Sequence, residues 1–477
     1  MATKIIMDPI TRLEGHLKIE VNVDTVNGKQ QVVDAWASGT MYRGIENLLA
    51  NRDPFDAPHF TQRICGVCPV AHSLASVSAL DKAYKVVVPT NGRIMRNLVL
   101  GANFIQSHIL HFYHLAAPDY IDGPNMPPWQ PSWKADKRID SATTGQLVNN
   151  YVAALGMRRM AHEMGALFGG RMPDPPAYLA GGFTTFPKAE TKTKFKSYLS
   201  ELNAFIKNVY LPDVEKLAAV YSDYAAVGRG RGNLLAYGVF DLDATGASKL
   251  LKRGRVLGGI GNPQGVDPPA ITEEVTYGWY NNNTNNLNPA QGETVPQFPK
   301  AGGYSWLKAP RYLKEPYEVG ALARMWVNGD YRRGVSVMDR HRARALEAAK
   351  VAQAMSGWVD QLSTGQTAYK SYSPPANAQG IGWTEAPRGA LGHWLEITNG
   401  KLSHYQVLTP TCWNASPRDG AGVRGPIEEA LVGTPVKNTA EPVEVLRVIH
   451  SFDPCLSCAV HIIRPGKGSK YTTIINL

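Results

Sequence analysis

Arg63-Ile-Cys65-Gly-Val-Cys68 and Asp453-Pro-Cys455-Leu-Ser-Cys458-Ala-Val-His461 set the problem posed by this chain. Each stretch holds a Cys-x2-Cys pair, a spacing that lets two thiolates converge on one metal from a single turn of backbone. The pairs lie near opposite ends of 477 residues, and the one other cysteine is Cys412. If four thiolates serve one site, the fold must bring the ends of the chain together. On spacing alone, structural zinc, an iron–sulfur cluster, a redox metal on soft thiolates and two unrelated surface pairs all stay open. The neighbours add a second clue. Asp453 and His461 flank one pair, Arg63 and His72 the other. Proton-coupled redox chemistry requires titratable groups beside thiolates, and a zinc staple does not.

Composition bounds the answer. With 44% hydrophobic and 19% charged residues the chain can bury a large core, and one interwoven body suits distant cysteine pairs better than separate domains. No apolar run reaches the roughly 18 residues of a membrane helix. No basic segment followed by an apolar run opens the chain, so no secretion signal of its own is expected. The formal charge of +10 is scattered without a Lys/Arg block, which argues against nucleic acid. Five cysteines, four of them in pairs suited to a metal, do not describe a disulfide framework.

Along the chain, residues 16–24 and 31–40 alternate apolar and polar around Asn27-Gly28, which predicts a hairpin. Helical spacing runs over 71–84, from 89 to about 117, and over 141–168, 188–227, 315–327 and 341–362. His108, His111 and His114 recur every three residues, but Phe112 and Tyr113 lie among them, and the reading is core packing without a ligand role. Residues 118–135 and 281–296 read as irregular. Asn399-Gly400 turns a second hairpin between 392–398 and 402–408, and 439–452 leads into the second cysteine pair. Gly228-Arg-Gly-Arg-Gly232 lacks the Lys-Ser/Thr of a phosphate loop.

The two cysteine motifs, together with Pro9-Ile-Thr-Arg-Leu-Glu14-Gly-His16, Tyr304-Ser-Trp-Leu-Lys-Ala-Pro-Arg311 and Glu385-Ala-Pro-Arg388-Gly, resemble the large, catalytic subunit of nickel–iron hydrogenases over nearly the whole chain. The resemblance implies an α+β fold, predominantly α-helical, with small peripheral sheets. It implies reversible heterolytic cleavage of H2, electrons passing to a small subunit that carries iron–sulfur clusters. This chain has too few cysteines left for a cluster of its own. Cys65 and Cys455 would be terminal nickel ligands. Cys68 and Cys458 would bridge to an iron carrying carbon monoxide and cyanide. Cys455 would take the proton first and Glu14 relay it. Arg388 is the rival base, but a neutral guanidinium is costly. It is assigned instead to one cyanide and to Asp453, with Thr411, beside Pro387, donating to the other and His72 donating to the Cys458 sulfur.

By the same resemblance, Glu46, the carbonyl of Val407 and His461 form a magnesium site. Residues 1–461 would form the working body. An endopeptidase would remove 462–477 after His461 once nickel is loaded. Export to the periplasm on the partner's signal is expected, with the cytoplasm as the alternative. Ser107 and Asp174 stand where many members carry Asp and His. The length suits the nickel–iron–selenium subgroup, which has selenocysteine where this chain has Cys455. Cys412 is expected to be a buried structural cysteine. The rival readings are an H2-sensing regulator, a relative of quinone-reductase subunits and a zinc protein.

Overall fold

The structure, a computed structural model, describes residues 2–127, 129–130 and 132–456. Its N-terminal sheet grows from the Asn27-Gly28 turn. Both residues stand at positive φ (50° and 77°), the left-handed pair that a tight two-residue hairpin needs. Strands Leu17–Val26 and Lys29–Gly39 follow, and Leu17, Ile19, Val21 and Val23 point inward on alternate positions. Thr3–Met7 adds an outer strand that the sequence pattern did not reveal.

Helices Pro69–Tyr84, Thr90–Leu110, Ser141–Gly169, Ala189–Phe205 and Val337–Gln361 form the bulk of the molecule. Thr90–Leu110 is buried on almost every face, so its sequence shows only a weak stripe: Pro69–Tyr84, Ser141–Gly169 and Val337–Gln361 pack against it, and Ala189–Phe205 packs on the last two. It runs on through a π-helical turn, His111–Ala116. Here His108 Nε2 meets Glu347 at 2.8 Å, His111 Nε2 meets the His450 carbonyl at 2.6 Å and His114 Nε2 meets the Tyr151 carbonyl at 3.2 Å.

The sheet of Ala378–Ala386, Gly389–Thr398 and Lys401–Leu408 lies directly on Pro69–Tyr84. Close approach requires glycine. A Cβ on Gly380 or Gly382 would fall 2.0 and 1.8 Å from the carbonyls of Ala79 and Ala75. This contact carries the 386–389 hairpin tip toward the first cysteine pair.

Several boundaries differ from the sequence reading. The helix read over 315–327 forms only from Ala321 to Asn328. Glu318 is held extended by backbone bonds with Asn233 and Leu235, and Gly320 at φ 134° breaks the run. The 188–227 stretch divides at a π-helical turn, Ile206–Tyr210, before Leu211–Val220. Val337–Gln361 starts four residues early because Ser336 accepts the Asp339 N–H as a cap. The lead-in to the second pair is the helix Val443–Ser451.

Candidate metal centre

Cys65 and Cys68 lie on the turn between helices Ala57–Gln62 and Pro69–Tyr84. Arg43 caps the first helix by donating to the carbonyls of Arg63, at 2.8 Å, and Ile64. Cys68 stands at the N-terminus of the second, where the aligned peptide dipoles favour a thiolate. Its N–H donates to Cys65 Sγ at 3.1 Å. Gly66, between them, is exposed.

Cys455 arrives from the far end of the chain. After Val443–Ser451 the backbone turns through Asp453 at φ 56° and bridges to Glu14, with Leu456 N–H donating to the Glu14 carbonyl at 2.6 Å. Cys455 N–H donates to Thr411 Oγ1 at 3.0 Å, which leaves the Thr411 hydroxyl proton free to point elsewhere. The result is a buried group of three thiols whose sulfurs lie within 4.8 Å of one another. Cys65 Sγ is 2.8 Å from Cys68 Sγ and 3.2 Å from Cys455 Sγ. A disulfide bond would be about 2.05 Å, so these are separate donors converging on one point. Glu14 sits over the same turn: a Cβ on Gly66 would be 3.6 Å from its Oε1.

Arg388 covers the thiols from the hairpin tip. Its Nε donates to Asp453 Oδ1 at 3.1 Å and its Nη1 to Ser107 Oγ at 3.4 Å. Nη2 and Asp453 Oδ2, both buried, have no hydrogen-bond partner among the described residues. Burial works against its charge, but Asp453 and the three thiols hold the guanidinium well above its ordinary pKa. Pro387, beside it, is buried.

His72, one helical turn after Cys68, is fully buried, and burial pushes it down to about 4 against the pull of Cys65, so it is neutral. Its Nδ1 lies 3.2 Å from His393 Nε2, His393 Nδ1 lies 2.9 Å from the Tyr405 hydroxyl, and that hydroxyl lies 3.0 Å from Ser76 Oγ. The Tyr405 hydroxyl is the donor to Ser76 Oγ, and the ring of His72 is held through its Nδ1. Nε2 has no partner among the described residues.

Some 20 positions from Cys65, the side chain of Glu46 accepts from Val407 N–H at 3.1 Å and Thr294 Oγ1 at 2.5 Å. The N–H and C=O of one strand residue point to the same side, so the Val407 carbonyl faces Glu46 too. Cys458, His461 and the 462–477 tail lie outside the described residues. Cys412 is half-buried, not wholly buried as the sequence suggested. Burial still pushes its thiol up to about 11, and Thr409 Oγ1 donates to its sulfur at 3.2 Å.

A family profile described as nickel-dependent hydrogenase matches residues 43–135, 128–335 and 327–461. The chain belongs to the nickel-dependent hydrogenase family. A second profile, HoxL-like, matches residues 4–35. The chain is 43% identical to the periplasmic [NiFeSe] hydrogenase large subunit of Desulfomicrobium baculatum, over 99% of this chain and 98% of that one. It is 34% identical to an uptake hydrogenase large subunit of Bradyrhizobium diazoefficiens, over 97% and 96%. The Ni-Fe-Se hydrogenase of D. vulgaris Hildenborough superposes with a TM-score of 0.93 at 43% identity, covering 97% of this chain and 100% of that one. The mainly helical hydrogenase large-subunit fold with small separate sheets follows from that superposition.

As a large subunit of this family the chain is an oxidoreductase acting on H2 with a nickel–iron centre. The donor set fits such a centre: soft thiols, buried, with an unsatisfied Arg388 N–H and an unsatisfied Asp453 oxygen in the residues that flank them. The sequence reading missed three partners in this hydrogenase. Arg324 binds the hairpin tip, Glu347 holds Arg324, and His393 orients His72. Only Glu385, inside the Glu-Ala-Pro-Arg motif, hinted at the first two.

Proposed function

We propose that the chain is the catalytic subunit of a reversible hydrogenase in which Cys455 accepts the proton from H2 and Glu14 carries it away. The observation that carries this reading is the backbone bridge between Glu14 and Cys455, which fixes the two side by side although they start 441 residues apart in sequence. When bound, the nickel–iron centre, with carbon monoxide and cyanide on the iron, supplies the Lewis acid and the electron sink. Cys65, Cys68, Cys455 and Cys458 hold it. Arg388 stays charged and offers Nη2 to one cyanide. The Thr411 hydroxyl serves the other, Pro387 lines the pocket, and His72 donates to the Cys458 sulfur. Glu46, the Val407 carbonyl and His461 hold magnesium.

Gly66, between the buried Cys65 and Cys68, is exposed, which supports docking of a cluster-bearing small subunit on that face, beside the Arg63–Asp174 ion pair. Residues 1–461 act as one body once an endopeptidase has removed 462–477. The periplasmic name of the Desulfomicrobium relative supports export with the partner. No helix among the described residues is long and apolar enough to cross a membrane.

The test is an infrared spectrum of the chain co-produced with its small subunit and maturation proteins. Carbonyl and cyanide bands that shift under hydrogen are expected. Their absence from a preparation shown by mass to end at His461 would overturn the reading. Glu14→Gln should keep those bands and lower turnover by about 10²–10⁴-fold, as expected for loss of a proton carrier.

A further inference from the structure

The Pro387–Arg388 tip joins Ala386 and Gly389, which pair as the last rung of their hairpin. A two-residue hairpin loop ordinarily places Gly, Asn or Asp at left-handed φ within the loop. Neither Pro387 nor Arg388 stands there, and the positive φ falls on Gly389, at 137°. Local turn chemistry therefore does not set the shape of the tip. The start of the helix Ala321–Asn328 does. A Cβ on Gly389 would fall 2.5 Å from Val319 Cγ2, and one on Gly320 would fall 3.2 Å from the Arg388 carbonyl. From the same helix, Arg324 Nη1 donates to the Ala386 carbonyl at 3.0 Å and Nη2 to the Pro387 carbonyl at 2.7 Å.

The guanidinium that makes these bonds cannot turn. Glu347 takes Nε and Nη2, each at 2.6 Å, Glu385 takes Nη1 at 2.8 Å, and the Phe104 ring lies 5.1 Å from Cζ. We propose that Arg324 is a positioning residue for the metal centre. By gripping the carbonyls of Ala386 and Pro387 it fixes the pitch of the tip, and with it the place of the Pro387 ring and the Arg388 guanidinium over the thiols. The proposal rests on the hydrogenase reading above. A planar fork is required, because a lysine ammonium cannot hold two carboxylates and two carbonyls in one plane.

Arg324→Lys and Glu347→Gln, each made in the assembled two-subunit enzyme, test it. Both should load nickel and iron in the normal ratio. Both should show displaced cyanide bands, and turnover should fall by up to about a hundredfold, the cost of misplacing a site group by about 1 Å, with KM for H2 unchanged. Arg311→Lys is the control: Arg311 is equally buried and paired with Asp419, but makes no bond to the tip. It should leave the bands in place. Wild-type bands in both metal-loaded variants would overturn the proposal. So would loss of folded protein in both while Arg311→Lys survives, which would leave Arg324 a structural role only. A wild-type enzyme without the diatomic bands would remove the hydrogenase reading and this proposal with it.

Discussion

Two guanidinium groups stand on either side of one hairpin tip, and the fold treats them in opposite ways. Arg324 is 0% exposed and all five of its N–H groups find oxygen: two on Glu347, one on Glu385 and one on each of two carbonyls. Arg388 is 3% exposed, yet it has one carboxylate, one distant hydroxyl and an Nη2 with no partner among the described residues. Burying a charge is costly in both places. In the first, the cost is offset by complete pairing, and the group acts as scaffold. In the second, a buried donor beside the thiols is left without a protein partner among the described residues, and a ligand can take it. Saturation thus separates the residue that holds the site from the residue that serves it.

Breaking the saturated group should have the largest effect. Arg324→Met leaves Glu347 and Glu385 buried without their cation, and a loss of about 3–5 kcal/mol is expected, read as a lower unfolding midpoint in denaturant. Arg388→Lys should do the reverse: stability close to wild type, but turnover lower by about 10²–10³-fold, as for loss of one oriented donor in a buried site. If the two variants behaved alike, the distinction drawn here would fail.

A carboxylate sharpens the same point. Glu428 is fully buried and accepts from Ala37 N–H at 2.9 Å and Tyr304 Oη at 2.8 Å; its other oxygen makes no hydrogen bond among the described residues, with Arg418 Nε 3.8 Å away. Burial pushes its carboxyl from 4.5 up to about 7. Between those values the folded chain keeps a proton that the unfolded chain has lost, so stability falls as pH rises through that window and levels off above it. Glu428→Gln should flatten this slope, worth a few kcal/mol, in thermal midpoints compared at pH 5 and pH 8.

The smallest effect is expected at Tyr405. Tyr405→Phe cuts the Ser76–Tyr405–His393 relay and frees the His72 tautomer. Turnover should fall a few-fold, about 1 kcal/mol for one neutral hydrogen bond, while metal content stays constant.

The sequence by itself determined the hairpin at Asn27-Gly28, because a left-handed pair is a local steric requirement that two residue types meet cheaply. The spacing of the two Cys-x2-Cys pairs suggested a shared metal site, and the structure brings Cys65, Cys68 and Cys455 together, whereas the parts given to Glu14 and Arg388 came from the family resemblance. The sequence named the long helices, Thr90–Leu110 among them although that one is buried on almost every face. It misread 315–320, where pairing with Asn233 and Leu235 overrides helical spacing, and it missed the strand Ala378–Ala386, whose glycines mark contact with a helix backbone and no local turn. The Arg324–Glu347–Glu385 grip and the His72–His393 relay were decided by tertiary structure alone. Their members come from separate helices and strands, and which buried charge meets which carboxylate is settled only when those elements pack.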